Sequence, residues 1–180
     1  MASFLYSMRR GAFVAAAVAA IFGPVAAGRA QPAAPAEDCD TAAWPLAADR
    51  ARLAASRPKD VRPGEALALP LEGAVALHLV AQAGANLPLA PSKGDARSFA
   101  GVVAVQVPGS ERLWQITVSG PSWIDVVVDG RPLEPVAFTG LHACPGVRKS
   151  LRFKIPPGLV QLQASGAEAP LLNLLVTQVE

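Results

Sequence analysis

Histidine, cysteine, methionine and tyrosine are nearly missing from this 180-residue chain, which has two, two, two and one of them. The two histidines, His78 and His142, stand far apart and form neither a His-x-His pair nor a His-Glu-x-x-His pattern, so no metal site is expected. There is no Gly-x-Ser-x-Gly elbow and no glycine-rich phosphate loop, which leaves hydrolase and nucleotide readings without a motif and implies no cofactor. Charge is sparse as well, at 17% with a net of +2, which excludes a strongly basic nucleic-acid binder and a disordered polyelectrolyte. Long apolar runs are absent beyond one segment near the start, which excludes a polytopic membrane protein.

What is abundant is turn chemistry. Seventeen prolines and fifteen glycines imply short elements separated by many turns, and 52% hydrophobic residues are enough for one core. Residues 1–30 have the layout of a secretory signal peptide. Arg9 and Arg10 give the positive start, Ala12–Phe22 the apolar stretch, and Val25–Ala30 the small residues a signal peptidase needs. The apolar stretch is short for a membrane span of about 20 residues, so no stable membrane insertion is expected after cleavage. With cleavage after Ala30 the mature chain begins at Gln31 and loses three arginines, leaving a net charge of about −1. The expected location is the periplasm or the exterior. Residues 31–38 then read as a Pro/Ala-rich linker and 39–180 as one domain.

Cys39 and Cys144 are the only cysteines, and an oxidising destination makes a disulfide their natural state. The bridge would staple the N-terminal segment onto the last third of the domain. From Asp40 to about Ala55 the composition is helix-like, with Pro45 suited to a first turn and Leu46, Ala47, Arg50, Leu53 and Ala54 on one side. Trp44 and Leu46 are expected to pack this short helix onto the domain.

From Val61 onward the period is two. Ala66–Pro70, Val75–Val80, Val102–Val107, Leu113–Val118, Trp123–Asp129, Leu133–Phe138, Leu151–Ile155, Val160–Ala164 and Leu172–Val176 all read as strands. Asp129-Gly130 marks a hairpin turn. Nine short strands without intervening helices predict a mainly β fold, an antiparallel β-sandwich of which the jelly roll is one variant, with a short N-terminal helix. The stretch Ala85–Ala100, with Pro88, Pro91 and Gly94, is the least structured connection and a candidate mobile loop.

Two surface features are candidate binding sites. Trp123 shares an alternation face with Asp125, and an exposed tryptophan beside polar groups can stack on a sugar ring or anchor a protein. Trp114 is expected on the neighbouring strand. The second feature is a basic stripe of Arg148, Lys149, Arg152 and Lys154, dense for so weakly charged a chain. Leu151, Phe153 and Ile155 are expected to face inward, which sends Ser150, Arg152 and Lys154 outward, ready to meet an anionic partner. Asp125 and Asp129 are the best carboxylate pair, but four strand residues span about 13 Å, too far for either glycosidase geometry.

The runs Trp123-Ile124-Asp125-Val126-Val127, Arg148-Lys149-Ser150-Leu151-Arg152-Phe153 and Leu162-Gln163-Ala164-Ser165-Gly166-Ala167, together with Cys39, Trp44-Pro45 and Cys144, resemble a family of small exported alphaproteobacterial proteins. Some members carry the label homogentisate dioxygenase, an activity that needs iron held by two histidines and a glutamate. The C-terminal strand pattern is also similar to β-sandwich modules appended to secreted peptidases, which implies an accessory role. The sequence expectation is therefore a non-enzymatic exported protein that binds a protein or glycan of the cell envelope. An enzyme, either the labelled dioxygenase or an unrecognised hydrolase, is the alternative.

Overall fold

The computed structural model describes residues 38–180 apart from Ser56. The expected signal peptide, and the expected linker up to Asp38, lie outside the described residues. Asp38–Thr41 forms a single 3₁₀ turn and Ala47–Ala54 the helix α1. The strands follow as β1 (Lys59–Val61), β2 (Ala66–Ala68), β3 (Val75–His78), β4 (Val80–Ala81), β5 (Phe99–Val107), β6 (Arg112–Val118), β7 (Trp123–Val128), β8 (Arg131–Leu133), β9 (Ala137–Gly140), β10 (Lys149–Ile155), β11 (Gly158–Ala167) and β12 (Leu171–Gln178). One sheet runs β1-β3-β12-β6-β10-β9; the other runs β2-β5-β11-β7-β8, with β4 also on β5.

The mainly β sandwich with its short helix is therefore as the period-two pattern predicts, but the sheets are mixed rather than purely antiparallel. β1 runs parallel to β3, and β2 runs parallel to β5. The reason is the path of the chain. Parallel neighbours need a crossover between them, and here each crossover passes through the opposite sheet: β2 separates β1 from β3, while β3 lies between β2 and β5, the expected strand Val75–Val80 being divided between β3 and β4 in different sheets. The expected strand Leu133–Phe138 is split at Glu134–Val136 between β8 in one sheet and β9 in the other. At the hairpin joining β7 and β8, Asp129 and Gly130 both take positive φ, 48° and 74°, as a type I′ turn requires.

The core lies between the sheets. Trp114, Ile116 and Val118 of β6, Leu151, Phe153 and Ile155 of β10 and Leu172, Leu174 and Val176 of β12 face Val103, Val105, Ile124, Val126, Val160 and Leu162 of the other sheet. Trp114 is buried in this layer, and it sits in the opposite sheet from Trp123. A second apolar cluster covers the outer face of the β6-containing sheet. Trp44, Leu46 and Leu53 of the N-terminal strap pack there with Leu141, Cys144, Val147 and Leu175. Cys39 and Cys144 are bridged, with a Cα–Cα distance of 4.8 Å, tying the strap to the loop before β10. Eight residues are too few for a helix to persist alone, so α1 owes its existence to this packing.

The strap also overturns the expected exposure of β10. Its alternation is as predicted, but the outward face is roofed over. Ser150 is fully buried, and Arg152 is half-buried with its guanidinium 4.1 Å from the centre of the Trp44 ring. Period-two alternation separates the two faces of a strand without saying what lies on either one.

Candidate functional site

The roofed face carries a buried polar network. Asp49, in the first turn of α1, accepts a hydrogen bond from Gln115 Nε2 at 2.7 Å and another from the Thr117 hydroxyl. The Thr117 and Ser150 hydroxyls are 2.9 Å apart, and Arg152 Nε donates to Gln115 Oε1 at 2.9 Å. Every member already has a protein partner, as buried polar groups must. This is a clamp holding the strap. Beside the disulfide lies an open cleft of about 430 Å³, lined largely by apolar strap residues with Asp40 and Arg50.

The basic stripe is consequently dispersed. Arg152 belongs to the clamp, and Arg148 is half-buried with Nη1 bonded to the Leu141 carbonyl. Lys154 is exposed on the outer face of the strand. Lys149 has the opposite parity. It shares the inward face with Leu151 at the end of the sandwich, opposite Val118. There the chain leaves β6, crosses through residues 119–122 and enters the other sheet as Trp123. That crossing puts the Lys149 ammonium 5.7 Å from the centre of the Trp123 ring.

Trp123 is the sole tryptophan with substantial exposure, at 39%. Its Nε1–H donates to Asp125 Oδ1 at 2.9 Å, which fixes the indole plane on the outer face of β7. Gln163, paired with Asp125 on β11 and itself fully buried, extends Nε2 to Asp125 Oδ2 at 3.4 Å and accepts from the Leu89 amide at 3.1 Å. A second ammonium, that of Lys93, lies 5.9 Å from the ring centre.

Lys93 arrives from the expected loop, and the structure shows why it is held. β11 is bulged between Ala164 and Ala167, and Gly166 takes φ +64° there. A bulge of this kind re-aims the strand locally. The side chain of Gln82 bridges the loop to the bulge, donating to the Lys93 carbonyl at 3.1 Å and accepting from the Gly166 amide at 2.7 Å. The approach needs glycine: a Cβ on Gly166 would stand 3.0 Å from the Lys93 carbonyl carbon. Ser165, directly across from Trp123 in the ladder, is buried with no hydrogen-bond partner for its hydroxyl among the described residues.

Charge at this shelf is unevenly compensated. Burial pushes the Asp125 carboxyl above the usual carboxylate range; the Trp123 bond opposes the shift and the Glu134 charge reinforces it. Burial likewise holds the Lys149 ammonium below the ordinary lysine value, helped by the neighbouring Arg148 charge. Among the described residues neither Lys93 nor Lys149 has a carboxylate within ion-pair distance. The histidines lie elsewhere. His78 is 2.8 Å from Asp60 on the β1–β3 pair, and His142 is in the loop beside the disulfide. No three His, Cys, Asp or Glu side chains among the described residues are grouped so as to hold a metal ion.

Of the expected binding residues, Trp123, Asp125 and Lys149 come together; Arg148 adds its charge beside Lys149 while its guanidinium bonds the Leu141 carbonyl, and Arg152 and Lys154 do not join them. Lys93, Gln82, Gln163 and Gly166 are additions from the structure. No family model, curated protein or solved structure matches this chain.

Proposed function

We propose that this chain is an exported, non-enzymatic binding module that holds a glycan of the cell envelope on the Trp123 shelf. The observation that carries this reading is an exposed indole locked in orientation by Asp125, with polar side chains and two ammonium groups around it. Sugar rings present C–H faces that pack on an aromatic ring and hydroxyls that need donors and acceptors at its rim. The disulfide is compatible with an oxidising compartment, and the arginine-led apolar stretch of residues 9–22 is the export signal in this reading.

The test is capture. Immobilised mature protein, incubated with solubilised envelope polysaccharide, should retain carbohydrate, and Trp123→Ala should retain at least tenfold less while melting at the same temperature. Trp44 and Trp114 are buried, so quenching of the exposed fluorophore by the glycan reports Trp123. Equal retention by wild type and Trp123→Ala would refute the shelf as the binding site.

A further inference from the structure

Resting on the glycan reading of the shelf, we infer that its ligand is an acidic saccharide of the uronic-acid class, its carboxylate received between Lys93 and Lys149. Two ammonium groups, each within 6 Å of the same ring centre, lie at most about 12 Å from one another beside the exposed indole. One of them, Lys149, is half-buried. The ring face offsets only part of the cost of burying the Lys149 ammonium, and no carboxylate among the described residues pairs with either lysine.

The local charge count favours a monoanion. Lys93 and Lys149 flank the Trp123 ring, Arg148 stands beside Lys149, and the acidic groups there are Asp125, bonded to Trp123, and Glu134 near it, so one positive charge is left over. A single carboxylate cancels that excess, whereas a dianionic phosphate would overshoot it beside Asp125. Asp125 cannot swing in to satisfy the lysines itself, because Trp123 and Gln163 hold its two oxygens.

The arrangement is also built in advance. Lys93 is carried by a loop anchored through Gln82 to the Gly166 bulge, and Lys149 by the β10 ladder next to β6. A site whose cations are positioned before binding loses less entropy when the ligand arrives.

Polygalacturonate and its fully methyl-esterified form test this directly, because they share a backbone and differ in the charge. Binding to the full mature protein is read by tryptophan quenching at low salt. Polygalacturonate should bind at least tenfold tighter than the ester, Lys149→Gln and Lys93→Gln should each weaken it at least fivefold, and added salt should weaken the wild-type interaction. Equal affinity for both polymers, lost in Trp123→Ala, would overturn the acidic-sugar inference and leave the shelf as a glycan site. Polygalacturonate binding that survives Trp123→Ala would overturn both. If neither polymer binds, the uronic-acid inference fails, and the shelf stands or falls on the envelope capture described above.

Discussion

Replacing Asp49 by alanine should loosen the strap on the sheet, and its cost can be worked from the clamp. The carboxylate is buried and accepts from Gln115 and Thr117. Hydrogen bonds to a charged acceptor contribute roughly 1.5–3 kcal/mol each. Thr117 can turn its hydroxyl toward Ser150, 2.9 Å away, so a single donor, Gln115 Nε2, is left buried and unpaired. An orphan of that kind costs about 1–3 kcal/mol. The net is a loss of about 3 kcal/mol, or about 6–12 °C in melting temperature for a domain of this size. Asparagine retains one acceptor oxygen and should recover roughly half of the loss. Urea unfolding with the disulfide intact measures both variants, with Trp44 reporting the strap. A cost below about 1 kcal/mol for Asp49→Ala would show that apolar packing and the disulfide hold the strap without the clamp.

Arg152 and Lys154 share a face of β10 but should respond oppositely to reversal. Lys154→Glu should change stability by less than about 0.5 kcal/mol, and Arg152→Glu should cost about 2–4 kcal/mol by placing a second carboxylate in the Asp49 clamp; equal urea midpoints would refute the difference. Cys39 and Cys144 are 105 residues apart, so replacing both by serine should remove about 4–5 kcal/mol in the chain-entropy model, and two titratable thiols in unreduced, denatured wild type would contradict the pairing. Gly166→Ala should cost about 1–2 kcal/mol and blue-shift or quench Trp123 as Lys93 is displaced; an unchanged emission spectrum would show that the bulge does not position the lysine. For Asp125, whose carboxyl is raised mainly by burial, the folded state binds the proton more tightly than the unfolded chain. Wild-type stability from this group is therefore present below the ordinary aspartate value and lost as pH rises through the raised one. Asp125→Asn should gain on wild type in urea titrations as pH rises from below the ordinary aspartate value through the raised one, and a variant that loses ground over that rise would reverse the sign.

The architecture was legible because its signals are local. Leu151, Phe153 and Ile155 alternate within one strand, and all three are in the core. Asp129-Gly130 specifies its own turn, and two cysteines have only one pairing to make. The parallel pairs were not legible, because strand direction depends on which sheet each strand joins and not on any strand's own residues. β1 was missed for a related reason. Lys59-Asp60-Val61 is too short and too charged to show a period, and it forms by pairing with β3.

The candidate site was half legible, and the division follows from parity. Trp123 and Asp125 are two residues apart on one strand, so alternation alone puts them side by side. Lys149 was grouped instead with Arg152 and Lys154, because nearness in sequence makes a run of basic residues look like one surface. In a strand, however, Lys149 and Arg152 point to opposite sides. One joins the inward face at the end of the sandwich and meets Trp123; the other goes beneath the strap and meets Trp44. Parity separates the two sides locally, but what each side meets is decided by a tryptophan elsewhere in the sequence. Lys93 had no period to place it at all. Its position depends on Gln82 and on a glycine 73 residues downstream that leaves room for the loop, and such a fit becomes visible only when both strands and the bulge are in place.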